Sequence, residues 1–224
     1  MICTTPRSGS NYLGQIFEST GVLGRPREYF NGPARRVLDD PAYPDDVDAQ
    51  VERVLKDGAT PNGVYALKLF PDQFSQVSPR VRLVERLPNL HFVRLRRGDV
   101  LGQAISWARA LQTEQYRSTQ TAKGAAAYDA RLVIQRIVEI ARFEAAWDIY
   151  FARLPVRPLE FTYEAVVADP AAPARALAEK LEIDAAIIVD AARIDLRVQR
   201  DDATDEWRTR FTREFGDPNV FYTL

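Results

Sequence analysis

The feature that most narrows the fold of this chain is the alternation of short apolar runs with longer stretches of helical period. Met1 to Thr5, Val64 to Phe70 (VYALKLF), Leu90 to Leu95 (LHFVRL) and Pro158 to Tyr163 (PLEFTY) read as strands. Helices fill the gaps: Tyr12, Leu13, Ile16 and Phe17 share one face before Gly21, and Ile140, Phe143, Trp147, Tyr150, Phe151 and Leu154 form a long apolar stripe. Strands so far apart are not joined by hairpins; they pair in parallel through helical crossovers. The expected architecture is an α/β fold with a mostly parallel central sheet flanked by helices. The aromatic residues of the stripe are expected to pack in its core.

At 224 residues, 46% of them hydrophobic, the chain can bury one substantial core, and a single domain over residues 1–224 is expected. The formal charge of −1 argues against wholesale electrostatic binding to nucleic acid while leaving room for a local basic pocket. The lone Cys3 excludes an intrachain disulfide and a cysteine-based zinc cluster. No run is long and apolar enough to span a bilayer, and the start lacks the basic and apolar regions of a signal peptide, so a soluble cytoplasmic protein is expected. The proline-rich stretch from Pro26 to Asp45 reads as an ordered surface excursion.

The first candidate strand runs into TTPRSGSN, residues Thr4 to Asn11, and then directly into a helix. Such a turn offers backbone N–H groups and a helix N-terminus to an anion. Gly9 allows close backbone approach, Ser8, Ser10 and Asn11 can donate hydrogen bonds, and Arg7 adds a forked cation. The competing reading is a capped turn in which Ser10 or Asn11 serves only the helix. The loop lacks the G-x-x-x-x-G-K-[ST] of Walker-type nucleotide binders, so it suits a phosphate that need not arrive with magnesium.

A second basic site follows the third strand. Arg96 and Arg97 stand at its expected C-terminal end, the side on which open α/β sheets bind ligands. Asp99 is placed to cap the next helix, and Ser106 lies two turns further along the same face. A third basic cluster, LRVQRDDATDEW from Leu196 to Trp207, adds Arg197, Arg200 and an aromatic ring. Two basic sites at two parallel strand ends suit a ligand with phosphates at two places.

Taken together, PRSGSNYL, GVLGRPREYF at Gly21 to Phe30, TPNGVYALKLF at Thr60 to Phe70, RGDVLGQAISWARALQT at Arg97 to Thr113 and QRDDATDEW at Gln199 to Trp207 resemble the bacterial sulfotransferases of the trehalose 2-sulfotransferase type. The blocks occur in family order over nearly the whole chain. The resemblance implies a P-loop-like three-layer fold and 3′-phosphoadenosine 5′-phosphosulfate (PAPS) as sulfuryl donor; nothing in the sequence requires a metal. It implies that Arg7, Ser8, Gly9, Ser10 and Asn11 cradle the 5′-phosphosulfate and that Arg97 and Ser106 hold the 3′-phosphate, with Arg200 counted among the donor-binding residues. The wider superfamily often sets its Arg and Ser closer together and has a lysine where this chain has Arg7, which leaves Arg96 and Arg97 as alternatives for the main 3′-phosphate ligand.

Attack of a hydroxyl on sulfur needs a base, and the only histidine, His91, starts the third strand at the end of the sheet away from the ligand. Glu28, in RPREYF, matches the glutamate that the resemblance implies as base; its neighbours Tyr29 and Phe30 are expected to exclude water and raise its pKa toward neutrality. Arg7 is expected to stabilise the leaving phosphate, and Lys68, at the end of the second strand, either reaches the sulfuryl group or acceptor or is a surface lysine. Trp107, Arg109 and Gln112, with Tyr29, are candidates for a sugar acceptor, although Trp107 also suits the core. The reading is a PAPS-dependent O-sulfotransferase acting on a carbohydrate or glycolipid hydroxyl, trehalose-like among the possibilities, with a homodimer made plausible by the resemblance. The alternatives are a magnesium-dependent ATP phosphotransferase and a catalytically silent nucleotide-binding module.

Overall fold

The computed structural model describes residues 1–116, 120–195 and 202–221. Four strands, β1 (Ile2–Cys3), β2 (Lys68–Leu69), β3 (Val93–Arg96) and β4 (Leu159–Thr162), form one sheet in the order β2-β1-β3-β4. Every pairing is parallel, with Ile2 opposite both Lys68 and Val93, and Val93 opposite Leu159. The C-terminal ends of the strands therefore lie along one edge, where connecting loops converge.

Helices cover both faces. α1 (Ser10–Ser19) follows β1; α2 (Gly32–Leu38) and α3 (Val47–Asp57) precede β2; α4 (Pro71–Val77) and α5 (Leu83–Arg86) lie between β2 and β3. α6 (Val100–Thr113) and α7 (Ala130–Ala152) join β3 to β4, and α8 (Tyr163–Ala168), α9 (Ala171–Lys180) and α10 (Asp202–Phe215) complete the chain. Alternate strand residues feed opposite cores. Cys3 packs with Leu67, Leu69 and Trp147 on one face, while Ile2 packs with Leu13, Ile16, Phe17 and Val93 on the other. A third cluster joins α6, α7 and Trp207 of α10. Trp147, on the α7 stripe, is 1% exposed and stacks on Phe74 and Phe151. Among the described residues no helix is long and apolar enough to cross a membrane.

The α/β architecture is as the alternation predicts, but the strands are shorter, because several residues expected in them have other partners. Ala66 N–H donates to Gly58 O and Tyr65 bridges Ala59, so Tyr65 and Ala66 pair with a neighbouring turn, while Leu67 O still accepts the Ile2 N–H of β1 at 2.8 Å. Thr162 ends β4 by accepting the Ala165 N–H with its hydroxyl, which makes Tyr163 the first residue of α8.

The stretch from Pro26 to Asp45 is more than a surface excursion. Tyr29, Phe30 and Tyr43 are buried in the core, and the Tyr43 hydroxyl donates to Tyr29 O at 2.8 Å. Arg27 makes a parallel bridge to Leu67, and its carbonyl accepts from Lys68 N–H at 2.9 Å. That bridge sets Glu28 beside Lys68 at the strand-end edge.

Candidate active site

The TTPRSGSN loop is held from behind. Thr4 Oγ1 donates to Leu95 O at 2.9 Å and shares a 2.6 Å hydrogen bond with Ser8 Oγ; Trp147 Nε1 donates to Thr4 O; buried Gln103 donates to Thr5 Oγ1 and Pro6 O. The Ser8 hydroxyl is thus turned inward, anchoring the turn. Arg7 has a φ of 61°, a left-handed conformation that costs a non-glycine residue about 1 kcal/mol or more. Gly9 has φ 86°, and a Cβ there would stand 2.2 Å from Tyr163 Cδ2. Helix α1 opens on Gly9 with no side-chain cap, so its leading N–H groups have neither an intrahelical nor a capping acceptor.

Arg7 and the second basic site meet. Arg7 Nε donates to Ser106 Oγ at 3.0 Å, and Arg97 Nη1 donates to Arg7 O at 3.3 Å. Burial first, and then the nearby Arg97 charge, lowers the Arg7 pKa. Arg97 lies over the Tyr163 ring at 4.8 Å, and its buried Nε has no hydrogen-bond partner among the described residues. Asp99 caps α6 through Gly102 N–H, and Glu164 accepts from Gly98 and Asp99 N–H, which fixes the turn carrying Arg97. Arg96 points the other way. It shares the Arg94 side of β3, and both pair with Glu144 and Asp148 of α7, Arg96 Nε reaching Glu144 Oε2 at 3.0 Å.

Glu28 and Lys68 form the other polar centre. Lys68 Nζ is 3.1 Å from Glu28 Oε1 and also donates to Asn11 Oδ1, joining the first loop to the glutamate. Asn31 Nδ2 and Gln73 Nε2 each donate to Glu28 Oε2 at 3.0 Å. Burial alone would raise the Glu28 pKa; the Lys68 charge, with hydrogen bonds from Asn31, Lys68 and Gln73, outweighs it and lowers the pKa to about 2. This corrects the expected rise toward neutrality. Tyr29 and Phe30 face the core rather than the carboxyl, and Lys68, 2% exposed, is not a surface lysine.

Both centres open on one cavity of about 860 Å³, lined by Arg7, Gly9, Ser10, Asn11, Arg97 and Ser106 and by Glu28 and Lys68, with the Lys68–Asn11 hydrogen bond between the two groups. Trp107 lines it while also packing against Phe143 and under the Arg136 guanidinium. Three of the acceptor candidates stand elsewhere. Tyr29 donates to Arg25 O, Arg109 to Thr204 Oγ1 on α10, and Gln112 exchanges two hydrogen bonds with the Ala127 backbone. Arg200 and Arg197 lie outside the described residues. Asn31, Gln73 and Tyr163 join the site unforeseen. Gln73 carried a faint signal as the third residue of a helix that opens on proline, where its Oε1 accepts the Phe70 N–H.

A parallel sheet whose strand ends converge on paired arginines, an open helix N-terminus and an ion-paired carboxylate gives an α/β protein suited to an anionic group. The sequence profile of the Stf0 sulphotransferase family matches residues 1–214, and the chain belongs to that family. It is a sulfotransferase. Trehalose 2-sulfotransferase of Mycobacterium tuberculosis is 27% identical over 257 aligned positions, which cover 96% of this chain and 94% of that protein. Trehalose 2-sulfotransferase of Mycolicibacterium smegmatis is 25% identical with the same coverage.

Proposed function

We propose that this sulfotransferase takes its sulfuryl group from PAPS and passes it to a hydroxyl of a carbohydrate or glycolipid, with Glu28 as general base. The observation that carries the reading is the Lys68 ammonium held between Asn11 of the first loop and Glu28. It puts an anion cradle and a candidate base within one side chain of each other.

The residues suit the donor. Two arginines pack together here, and Arg97, whose buried Nε has no hydrogen-bond partner among the described residues, faces the carboxylates of Asp99 at 3.6 Å and of Glu164. A ligand with more than one phosphate would meet forked cationic donors at both arginines. When bound, PAPS contributes a sulfuryl group on a phosphate leaving group. Arg7 and the first N–H groups of α1 would neutralise charge growing on that phosphate, while Arg97 and Ser106 would hold the 3′-phosphate. Glu28 would take the acceptor hydroxyl proton as the new sulfur–oxygen bond forms and the bond to the nucleotide phosphate breaks. While paired with Lys68, Glu28 is a weak base. Turning Lys68 toward the donor would remove the largest of the interactions that lower its pKa, leaving burial opposed only by the Asn31 and Gln73 hydrogen bonds.

Trehalose, on which the two relatives are named as acting, is the first acceptor to test. We also propose one catalytic domain over the chain, on its length and apolar content, a cytoplasmic protein, on its composition, and a homodimer, on the resemblance. The deciding experiment titrates the protein with adenosine 3′,5′-bisphosphate and, separately, with ATP plus magnesium. Preference for the bisphosphate supports the reading; preference for ATP would sink it.

A further inference from the structure

Beyond Glu28 the cavity changes character. Asn31 donates to Glu28 and, through Oδ1, caps α2 at Ala34 N–H at 3.3 Å, so the helix starts at the carboxylate itself. Pro33, Ala34, Val37 and Leu38 share one face of α2 by their spacing, and all four line the cavity. Of the charged residues of the helix, Arg36 pairs with Asp45, and Arg35, which also lines the cavity, is buried and paired with Asp39. Val37 is 85% exposed, and the half-buried Phe70 ring adds to the same cavity.

A bare sugar presents hydroxyls on every side, and those set against this face give up water without a replacement partner. A hydrocarbon continuing from the sugar has no such cost, and each methylene it buries is worth about fourfold in affinity. The face is continuous with the polar centre at Glu28, so head and tail of one molecule can meet both. We infer that the acceptor is amphiphilic, its hydroxylated head at Glu28 and an aliphatic aglycone along the Pro33, Ala34, Val37 and Leu38 face of α2. This rests on Glu28 marking the acceptor end of the cavity.

The test is calorimetric titration, with adenosine 3′,5′-bisphosphate present, of methyl β-D-glucoside and of octyl β-D-glucoside below its micelle concentration. Octyl glucoside is expected to bind on the order of tenfold tighter or more. In Val37→Asp, and more mildly in Val37→Ser, the ratio of octyl to methyl affinity should fall; both substitutions are at an exposed position, so folding is retained. Equal affinities, no measurable binding of either glucoside, or an octyl preference that survives Val37→Asp overturns the inference. So does sedimentation showing a wild-type dimer that Val37→Asp converts to monomer, because a second copy then covers the face. Glu28→Gln separates this from the base assignment: the octyl preference should persist in that variant whether or not sulfate transfer is lost.

Discussion

At the proposed donor end of the cavity the ligand-facing groups stand just past the ends of three neighbouring parallel strands, Arg7 after β1, Arg97 after β3 and Tyr163 after β4. At the proposed acceptor end, Glu28 and α2 belong to a loop tied to the sheet by the Arg27 bridge to Leu67. The first arrangement follows from topology, since parallel strands deliver their following residues to one edge. The second depends on particular contacts, chiefly Lys68, Asn31 and Gln73 around one carboxyl. The donor end should therefore resist change as a block, and the acceptor end should be tunable by single substitutions.

The sharpest break in this comparison is Glu28→Gln, expected to lower turnover by on the order of a hundredfold or more with bisphosphate binding nearly intact; unchanged turnover in a steady-state assay removes Glu28 from the chemistry. At the other end, Arg97→Ala should weaken adenosine 3′,5′-bisphosphate binding on the order of tenfold to a hundredfold and adenosine 5′-phosphate binding less. Equal losses would detach Arg97 from the 3′-phosphate.

Two further tests read how each end is held. Gly9→Ala should cost roughly 2 kcal/mol in denaturant unfolding, because it forces a left-handed alanine against the Tyr163 ring. Carboxyl titration by NMR should find wild-type Glu28 ionised down to about pH 2. Its stabilising contribution is complete above the ordinary value of 4.5 and is lost as the pH falls through about 2. In Lys68→Met burial is opposed only by the Asn31 and Gln73 hydrogen bonds, and the carboxyl should titrate above its wild-type value. The smallest effect is expected from Gln112→Ala, which removes the hydrogen bonds to Ala127 at a cost of about 1 kcal/mol and leaves turnover unchanged.

The donor end was the more legible in sequence because its elements are local. A strand, a glycine turn and a helix stand in one short stretch, and Arg97 and Ser106 flank a cap whose residue, Asp99, is recognisable by itself. The choice between Arg96 and Arg97 was not legible: it turns on Glu144 and Asp148, far along the chain, which engage Arg96. Arg109 and Gln112 show the limit of reading one helix alone. Both sit on α6 beside Trp107, yet α10 and the Ala127 backbone claim their polar groups.

The sequence by itself determined the α/β alternation, the glycine loop between the first strand and helix, and the glutamate after that helix, since periodicity, turn chemistry and residue type are properties of neighbouring positions. Tertiary structure alone decided which hydroxyl of the loop serves as an anchor, which arginine faces the cavity, and the ionisation of Glu28. That last quantity is a balance of burial against the charge of Lys68 on β2 and hydrogen bonds from Asn31, Lys68 and Gln73, and it exists only once the Arg27 bridge has brought the loop and the strand together.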